Sequence, residues 1–416
     1  MSRYVYGVDF GTSNSALAIF DKQKNEVIHS FIDASILHFP FPQRHRGEYM
    51  IGKEGLQKFL RNSMKGRLMR SIKSALPNAS FTETTIYQVN YKLEDFVALI
   101  LGELKQKADD LVGEKVTEAV FGRPVVFDEQ PAKDALAQER LLKAAKIAGF
   151  QKVHFQYEPI AAAFTYEREL QSPEMVLVAD LGGGTSDFTL MQLNPKKIHQ
   201  ADRMSDMIAK GGVHIGGDDF DAEVMWRKLV RYFGYGLQYE SMNKTLEVPS
   251  HYFRRLCAWQ DLNYFKSEKV RKELDDFFYL TKYSSEFNRL ITLVERNLGY
   301  PLLESIEGAK INLSKHAETT IDFDQAHIEI HQKITRSEFN QFVDKDIQQI
   351  GNYLDTFLED AFVEASDVDS VFMTGGSSLV PVVRNVFVER FGEEAIRSGD
   401  SFNSVAFGLA YSSVLF

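Results

Sequence analysis

The sequence predicts an α/β protein built as two similar lobes that face each other across a cleft, and three observations predict it. First, VYGVDFGTSNSALAIFD from Val5 and VLVADLGGGTSDFTLMQL from Val176 repeat one pattern: an apolar strand ending in Asp, a turn of Gly and Ser/Thr, and an alternating strand running back. Second, the chain has 416 residues, more than one hydrophobic core usually supports, so two lobes of roughly 200 residues are expected. Third, strand and helix patterns alternate between and after the two hairpins, as in layered α/β architectures.

In chain order, residues 3 to 34 read as three short strands, and 93 to 112 as an amphipathic helix with Phe96, Leu99, Ile100, Leu104 and Ala108 on its apolar face. A strand EAVFGRPVVF follows, then a helix ERLLKAAKIAG stopped by Gly149, a strand VHFQYE, and a helix PIAAAFTYEREL with Pro159 in its first turn. The polar, proline-containing QSPE at 171 to 174 marks the expected boundary. Lobe I then covers 1 to 171 and lobe II 172 to 402, with a closing helix over 403 to 416 expected to pack near lobe I. After GGVHIGGDDFD the helical pattern dominates to about Lys315, followed by strands near 319 to 334, a helix from Ser337 to Phe362, a strand VDSVFMTGG and two closing helices.

The net charge of -10 argues against nucleic acid or an anionic membrane as the main partner, with RHR at 44 to 46 and the Lys65 to Lys73 segment as local exceptions. A single cysteine, Cys257, excludes an internal disulfide framework and reads as a small apolar filler. MSRYVYGVDFG enters a strand directly, and no stretch is long enough to span a bilayer, so a cytoplasmic location is expected. His327 and His331 in HIEIH alternate with Ile328 and Ile330, which favours a surface strand over a metal site.

The repeated hairpins have a chemistry of their own. Gly11, Gly182, Gly183 and Gly184 let successive backbone N–H groups converge on one anion, and Thr12, Ser13, Thr185 and Ser186 add hydroxyl donors. Asp9, Asp180 and Asp187 would repel phosphate alone but suit a phosphate arriving with magnesium, which keeps several waters and needs one or two carboxylates. Either copy alone also reads as an ordinary hairpin with turn glycines; the pair, with Asp and hydroxyl at matching offsets, favours the phosphate site.

VDFGTSNS, YEPIAAAFTY, VADLGGGTSDF, HIGGDDFD, IEGAKINLS, MTGGSSLVP and SVAFG occur in this order from residue 5 to 408. Together they resemble the nucleotide-binding domain of the heat-shock protein 70 (DnaK-type) chaperones, within the wider superfamily of actin and the sugar kinases. The resemblance implies a two-lobed actin-like ATPase fold of duplicated ribonuclease-H-like lobes, binding ATP or ADP with Mg2+. It makes Asp9 and Asp180 the carboxylates that hold the magnesium hydration shell. It makes Gly11, Thr12, Ser13, Asn14, Gly182, Gly183, Gly184 and Thr185 the phosphate cradle, joined by Gly216, Gly217 and Asp218 of HIGGDDFD. Asp187 and Glu158 match the groups that orient the attacking water, and Lys73 in LMRSIKSALP the lysine facing the transferring phosphate. Glu307 and Lys310 match ribose contacts, Ser314 an adenine contact, and Gly375, Gly376 and Ser377 the adenine-side loop. On the residues alone, a plain helix cap is the favoured reading of Glu158, Lys73 reads as a solvated lysine on a helix face with Lys65, Arg67 and Arg70 as neighbouring alternatives, and Glu307 with Lys310 reads as a surface ion pair.

Three departures from the family stand out. Ile311 and Leu379 occupy the places of two arginines that flank adenine, which forfeits a cation–π contribution of roughly 0.5 to 2 kcal/mol per arginine and implies weaker nucleotide binding. Residues 222 to 303 form a longer segment than the family norm, with Trp259, Tyr264, Phe265, Phe277, Phe278, Tyr279 and Phe287. These aromatics recur at helical spacings, so packing within an enlarged lobe II is favoured over a surface for an unidentified protein partner. With no peptide-binding pattern after the closing helix, the whole resembles a short, YegD-like member without a substrate-binding domain. The leading expectation is a slow magnesium-dependent ATPase whose lobes close on ATP. A nucleotide sensor that binds without hydrolysis and an actin-like scaffold or filament protein are the alternatives.

Overall fold

The computed structural model describes residues 2–41, 47–62, 65–168, 170–198, 200, 203–398 and 403–416; the basic run at 44 to 46 lies outside them. The apolar strand Tyr4–Phe10 pairs antiparallel with Asn14–Asp21, which places Asp9 opposite Ala16, and Asn14–Asp21 pairs antiparallel with Glu26–Ala34. On the other side of Tyr4–Phe10 lie Glu118–Arg123 and then Lys152–Tyr157, both parallel. The second hairpin repeats this arrangement. Glu174–Leu181 pairs antiparallel with Ser186–Leu193, which in turn pairs with Met207–Val213, while Ser370–Thr374 and Ile396–Ser398 add in parallel on the opposite side. Counting strands within each sheet, both run fifth, fourth, first, second, third, with the same senses. This is the duplicated two-lobed architecture that the resemblance implies.

The helix Leu93–Val112 buries Phe96, Ile100, Leu104 and Ala108 against the first sheet and ends on Gly113, whose φ of 76° suits the left-handed cap position. The next helix, Pro131–Ile147, begins before the expected ERLLKAAKIAG because Pro131, with φ already set and no N–H to satisfy, starts it at the first turn. The strand read over EAVFGRPVVF ends at Arg123; Pro124 lacks the N–H needed to continue a ladder. Residues 35 to 92, little resolved by periodicity, hold a three-stranded sheet of Leu37–Phe39, Met50–Ile51 and Arg67–Met69, a helix Gly52–Arg61 and the hairpin Glu83–Ile86 with Val89–Lys92.

Two helices join the halves. Glu158–Glu167 and the closing Ser404–Ser412 cross so closely that a methyl on Gly408 would lie 1.6 Å from the Ala161 carbonyl oxygen. Their apolar cluster takes Val120 from the first sheet and Val176, Val178, Met191 and Phe372 from the second. The closing helix also lays Ala406 and Ala410 on Ala16, Ala18 and Phe20 of the first sheet. At the end of Glu158–Glu167, Arg203 is fully buried, donating Nη1 and Nη2 to Glu167 at 2.7 and 2.6 Å and Nε to Asp206 at 2.6 Å.

The segment from 222 to 303 is not helical throughout. Gln238–Ser241 and Lys244–Glu247 form a hairpin whose turn residues Met242 and Asn243 have φ of 48° and 57°, a tight turn hidden from helical periodicity. Phe265 and Phe287 are buried and Tyr264, Phe277 and Phe278 pack against the same second-half core, while Tyr279 is exposed. Ile328 and Ile330 are buried on the strand Ile328–Thr335, and His331 faces out to Asp322 at 2.9 Å, as the strand reading of HIEIH expects. No helix among the described residues is long and apolar enough to cross a membrane.

Candidate active site

Matching topology places the two Asp-ended strands in equivalent positions. In each hairpin a four-residue turn follows: Phe10 pairs with Ser15 and Leu181 with Ser186. A side chain on Gly11 would strike the Asn14 carbonyl oxygen at 2.1 Å, so the first turn closes only with glycine there. In the second turn the Gly182 N–H donates to the Thr185 carbonyl at 2.9 Å. Across the cleft the turns meet, since a methyl on Gly183 would lie 3.1 Å from Ser13 Oγ and 3.3 Å from Asp218 Oδ1. Thr12, Ser13, Asn14 and Gly184 are exposed at this junction. Because the strands pair in register, Asp187 stands opposite Asp180, whereas the first hairpin has Ala16 opposite Asp9.

Five charged side chains from four separate segments converge beneath the turns. Lys73, on the short 3-10 turn Ile72–Ala75, donates Nζ to Glu158 Oε1 at 2.8 Å, and both side chains are largely buried. Glu158 lies in the first turn of its helix, yet its carboxylate reaches Lys73 instead of capping that turn. Burial, and then repulsion by Glu158, pushes both the Asp9 and the Asp180 carboxyls up to about 7. Lys73 acts against this rise in both, and its own pKa is raised because attraction by Glu158 and Asp9 outweighs burial. Asp187 is likewise raised, chiefly by burial, and accepts from Thr185 Oγ1 at 2.8 Å.

Folded-state values above the ordinary carboxylate value of about 4 mean that the native protein holds extra protons between about pH 4 and 7. The associated stability is present below pH 4 and lost as pH rises through 7. The nucleotide-free protein is therefore expected to melt at a higher temperature at pH 6 than at pH 8 as far as these groups decide. Asp180→Asn should reduce that difference and stabilise the protein at pH 8 by at most about 4 kcal/mol. Thermal melts at the two pH values check this, and an Asn variant no more stable at pH 8 would show that burial and Glu158 do not disfavour the charged Asp180 carboxyl.

The helix Gly217–Val224 begins directly on the second turn, with the Gly217 N–H donating to the Gly182 carbonyl at 3.1 Å and the Asp218 N–H to the Gly183 carbonyl at 2.7 Å. Gly216 passes so close that a methyl would lie 2.5 Å from the Gly183 carbonyl oxygen. Lys310, on the helix Gly299–Lys315, donates to Asp221 Oδ2 at 2.7 Å and to the Gly217 carbonyl at 2.9 Å. Burial pushes the Asp221 carboxyl up to about 7 despite Lys310. Glu307 is exposed on the same helix, and Ser314 Oγ donates back to the Lys310 carbonyl at 3.3 Å. Ser377 Oγ donates to the Gly182 carbonyl at 2.8 Å, and Gly375, with φ of 80°, passes so near Leu181 that a methyl would meet its carbonyl at 2.3 Å. Gly376 is exposed beside them, and Ile311 and Leu379 are exposed apolar side chains at 55% and 54%.

The cleft left between these elements, about 160 Å³, is lined among others by Arg70, Gly184, His214, Asp218, Cys257 and Glu307. Cys257 is buried, donates its thiol to the Phe253 carbonyl at 3.2 Å, and has its pKa pushed up to about 12 by burial, which leaves it an unreactive packing group. Asp221 and His214 were missed by sequence reasoning. Asp221 lies inside GGDDFD, but nothing local pairs it with Lys310, 89 residues away.

With this geometry in place, the sequence matches the family model described as Hsp70 protein over residues 44–245 and 288–415. The chain belongs to the Hsp70 family. It is 27% identical over 423 residues to a protein described as chaperone protein DnaK from Mycoplasmopsis pulmonis (strain UAB CTIP), covering 98% of this chain and 57% of that protein. It is 26% identical over 422 residues to another of that description from Thermosipho melanesiensis, covering 99% and 59% respectively. The chain thus spans under three-fifths of the length of these relatives. Within this Hsp70 chain, residues 246 to 287 fall between the two matched stretches, inside the segment that the sequence marks as longer than the family norm.

Proposed function

We propose that this Hsp70-family chain binds Mg-ATP between its two glycine turns and hydrolyses it slowly, with the halves closing on ATP and relaxing on ADP. The observation that carries the reading is the convergence of Lys73, Glu158, Asp9 and Asp180 directly beneath paired glycine turns. The two raised carboxyls fit a hydrated magnesium ion: burial and Glu158 disfavour their charged form, which a divalent cation would favour, and exposed hydroxyls lie in the turns that follow them. Asp9 and Asp180 would hold that ion through its waters, and it would supply charge neutralisation between the phosphates. Backbone N–H groups and hydroxyls of residues 11 to 14 and 183 to 185 bind the phosphates, the Gly182 N–H being engaged within its own turn. Lys73 places a fixed cation where charge develops on the transferring group. Glu158 and Asp187 orient water by accepting hydrogen bonds from it, and Glu307, Lys310 and Ser377 border the nucleoside side. The two bridging helices, packed through Ala161 and Gly408, form the joint on which the halves move.

The deciding experiment is single-turnover phosphate release with protein in excess over Mg-ATP, recording which nucleotide stays bound. Phosphate released with ADP retained is the expected result; intact ATP retained would replace this reading by a nucleotide sensor. A second expectation concerns the base. With Ile311 and Leu379 exposed in place of guanidinium groups, Leu379→Arg should tighten ADP by about 2- to 30-fold through stacking on the base. Titration calorimetry checks it, and an unchanged dissociation constant would mean that the base sits elsewhere.

A further inference from the structure

Arg70 and Tyr300 meet across the cleft, with the guanidinium carbon 4.7 Å from the ring centroid. Arg70 follows the strand Arg67–Met69 of the first-sheet half and precedes Lys73 by three residues. Tyr300 sits at the start of the helix Gly299–Lys315, two turns before Glu307 and three before Lys310. Glu304 lies between them on the same helix face; burial raises its carboxyl, Glu307 raises it further, and Arg70 opposes the rise. Burial likewise raises the Tyr300 phenol. Phe59, Leu60 and Leu68, from the same region as Arg70, pack against the apolar cluster of the second half, so the contact is the charged edge of a larger cross-cleft surface.

Between Arg70 and Lys73 stands Ser71 at φ of 52°, a left-handed conformation that a non-glycine residue holds only when its surroundings impose it. An anchor at Arg70 on one side and the Lys73 to Glu158 bond on the other would impose it. A guanidinium suits such an anchor, because it is weakly hydrated and lies flat on an aromatic face, where an ammonium would not reproduce the stacking.

We propose that Arg70 is a positioning residue. By stacking on Tyr300 it ties the segment that aims Lys73 to the helix that bears Glu307 and Lys310, so that closing on a nucleotide and placing Lys73 become one movement. This rests on the nucleotide reading given above. Its test uses Arg70→Ala, Tyr300→Leu, the double variant and Tyr300→Phe, with two readouts. The first is amide hydrogen exchange in the nucleotide-free protein over residues 67 to 76 and 299 to 315. The second is the dissociation rate of a fluorescent Mg-ADP.

Each single truncation should raise exchange on both sides of the cleft and speed ADP release by about 5- to 30-fold. The double variant should do no more than the stronger single one, and Tyr300→Phe, which keeps the ring, should retain wild-type exchange and release. Additive effects in the double variant, exchange that rises only on the mutated side, or a Tyr300→Phe as damaging as Tyr300→Leu would each overturn the proposal. If the wild-type protein binds no ADP, the nucleotide reading itself fails, and the exchange measurements still decide whether the two sides are tied.

Discussion

Lys73→Ala should slow single-turnover hydrolysis by about 10²- to 10³-fold while Mg-ADP binding stays within about threefold of wild type. The asymmetry follows from where the charge sits. Lys73 Nζ is held 2.8 Å from Glu158 and is drawn electrostatically to Asp9 and Asp180; on the proposed reading it would face the transferring phosphoryl group, whereas Glu307 and the glycine turns would supply most of the ground-state contacts. Removing it has a second consequence. Glu158 then faces Asp9 and Asp180 with no cation nearby to offset it, so the nucleotide-free variant should melt at a lower temperature than wild type and recover part of that loss when Mg-ADP is added. Quench-flow measurement of phosphate in excess protein gives the first effect, and melts with and without Mg-ADP the second. Unchanged hydrolysis would remove Lys73 from the chemistry and leave its pairing with Glu158 a structural bond.

Arg203→Ala should cost about 3 to 5 kcal/mol of stability, the typical loss when one partner of a buried ion pair is removed. Arg203, Glu167 and Asp206 are each at most 2% exposed, and Glu167 also accepts the Asn194 N–H at 2.8 Å. The truncation therefore strands two carboxylates away from water, with Lys197 left to answer only Asp206. Because Glu167 ends one of the two helices that join the halves, the damage should spread to the joint. Denaturant unfolding checks the size of the loss. The triple replacement of Arg203, Glu167 and Asp206 by apolar residues of similar volume should recover most of it, and a loss below about 1 kcal/mol for Arg203→Ala would mean that water reaches the network.

Much of this was legible before any coordinates. The two Asp-Gly hairpins announced themselves because both the strand period and the turn chemistry are local, and residues 93 to 112 announced a helix because its apolar face repeats every three to four residues. Lys73 was named through the family resemblance, and nothing in LMRSIKSALP says that its partner is Glu158, 85 residues later. Glu158 by its local sequence favours a helix cap over a reactive group, since a carboxylate before Pro159 at a helix start is the ordinary capping pattern. The hairpin at 238 to 247 was lost inside a helical stretch because its strands are four residues each, too short to establish a period of two.

The sequence by itself determined the duplication, the family, and the residue types available at each turn, because these depend on patterns that neighbouring residues share. Only the tertiary structure decided which charges face one another: Lys73 with Glu158, Lys310 with Asp221, Arg203 with Glu167, and Arg70 over Tyr300. Such pairs join positions far apart in the chain, and their energies depend on distance and burial. The carboxyls of Asp9 and Asp180 show the consequence, for it is burial and the nearness of Glu158, set by the meeting of the two sheets, that lifts them toward neutral pH.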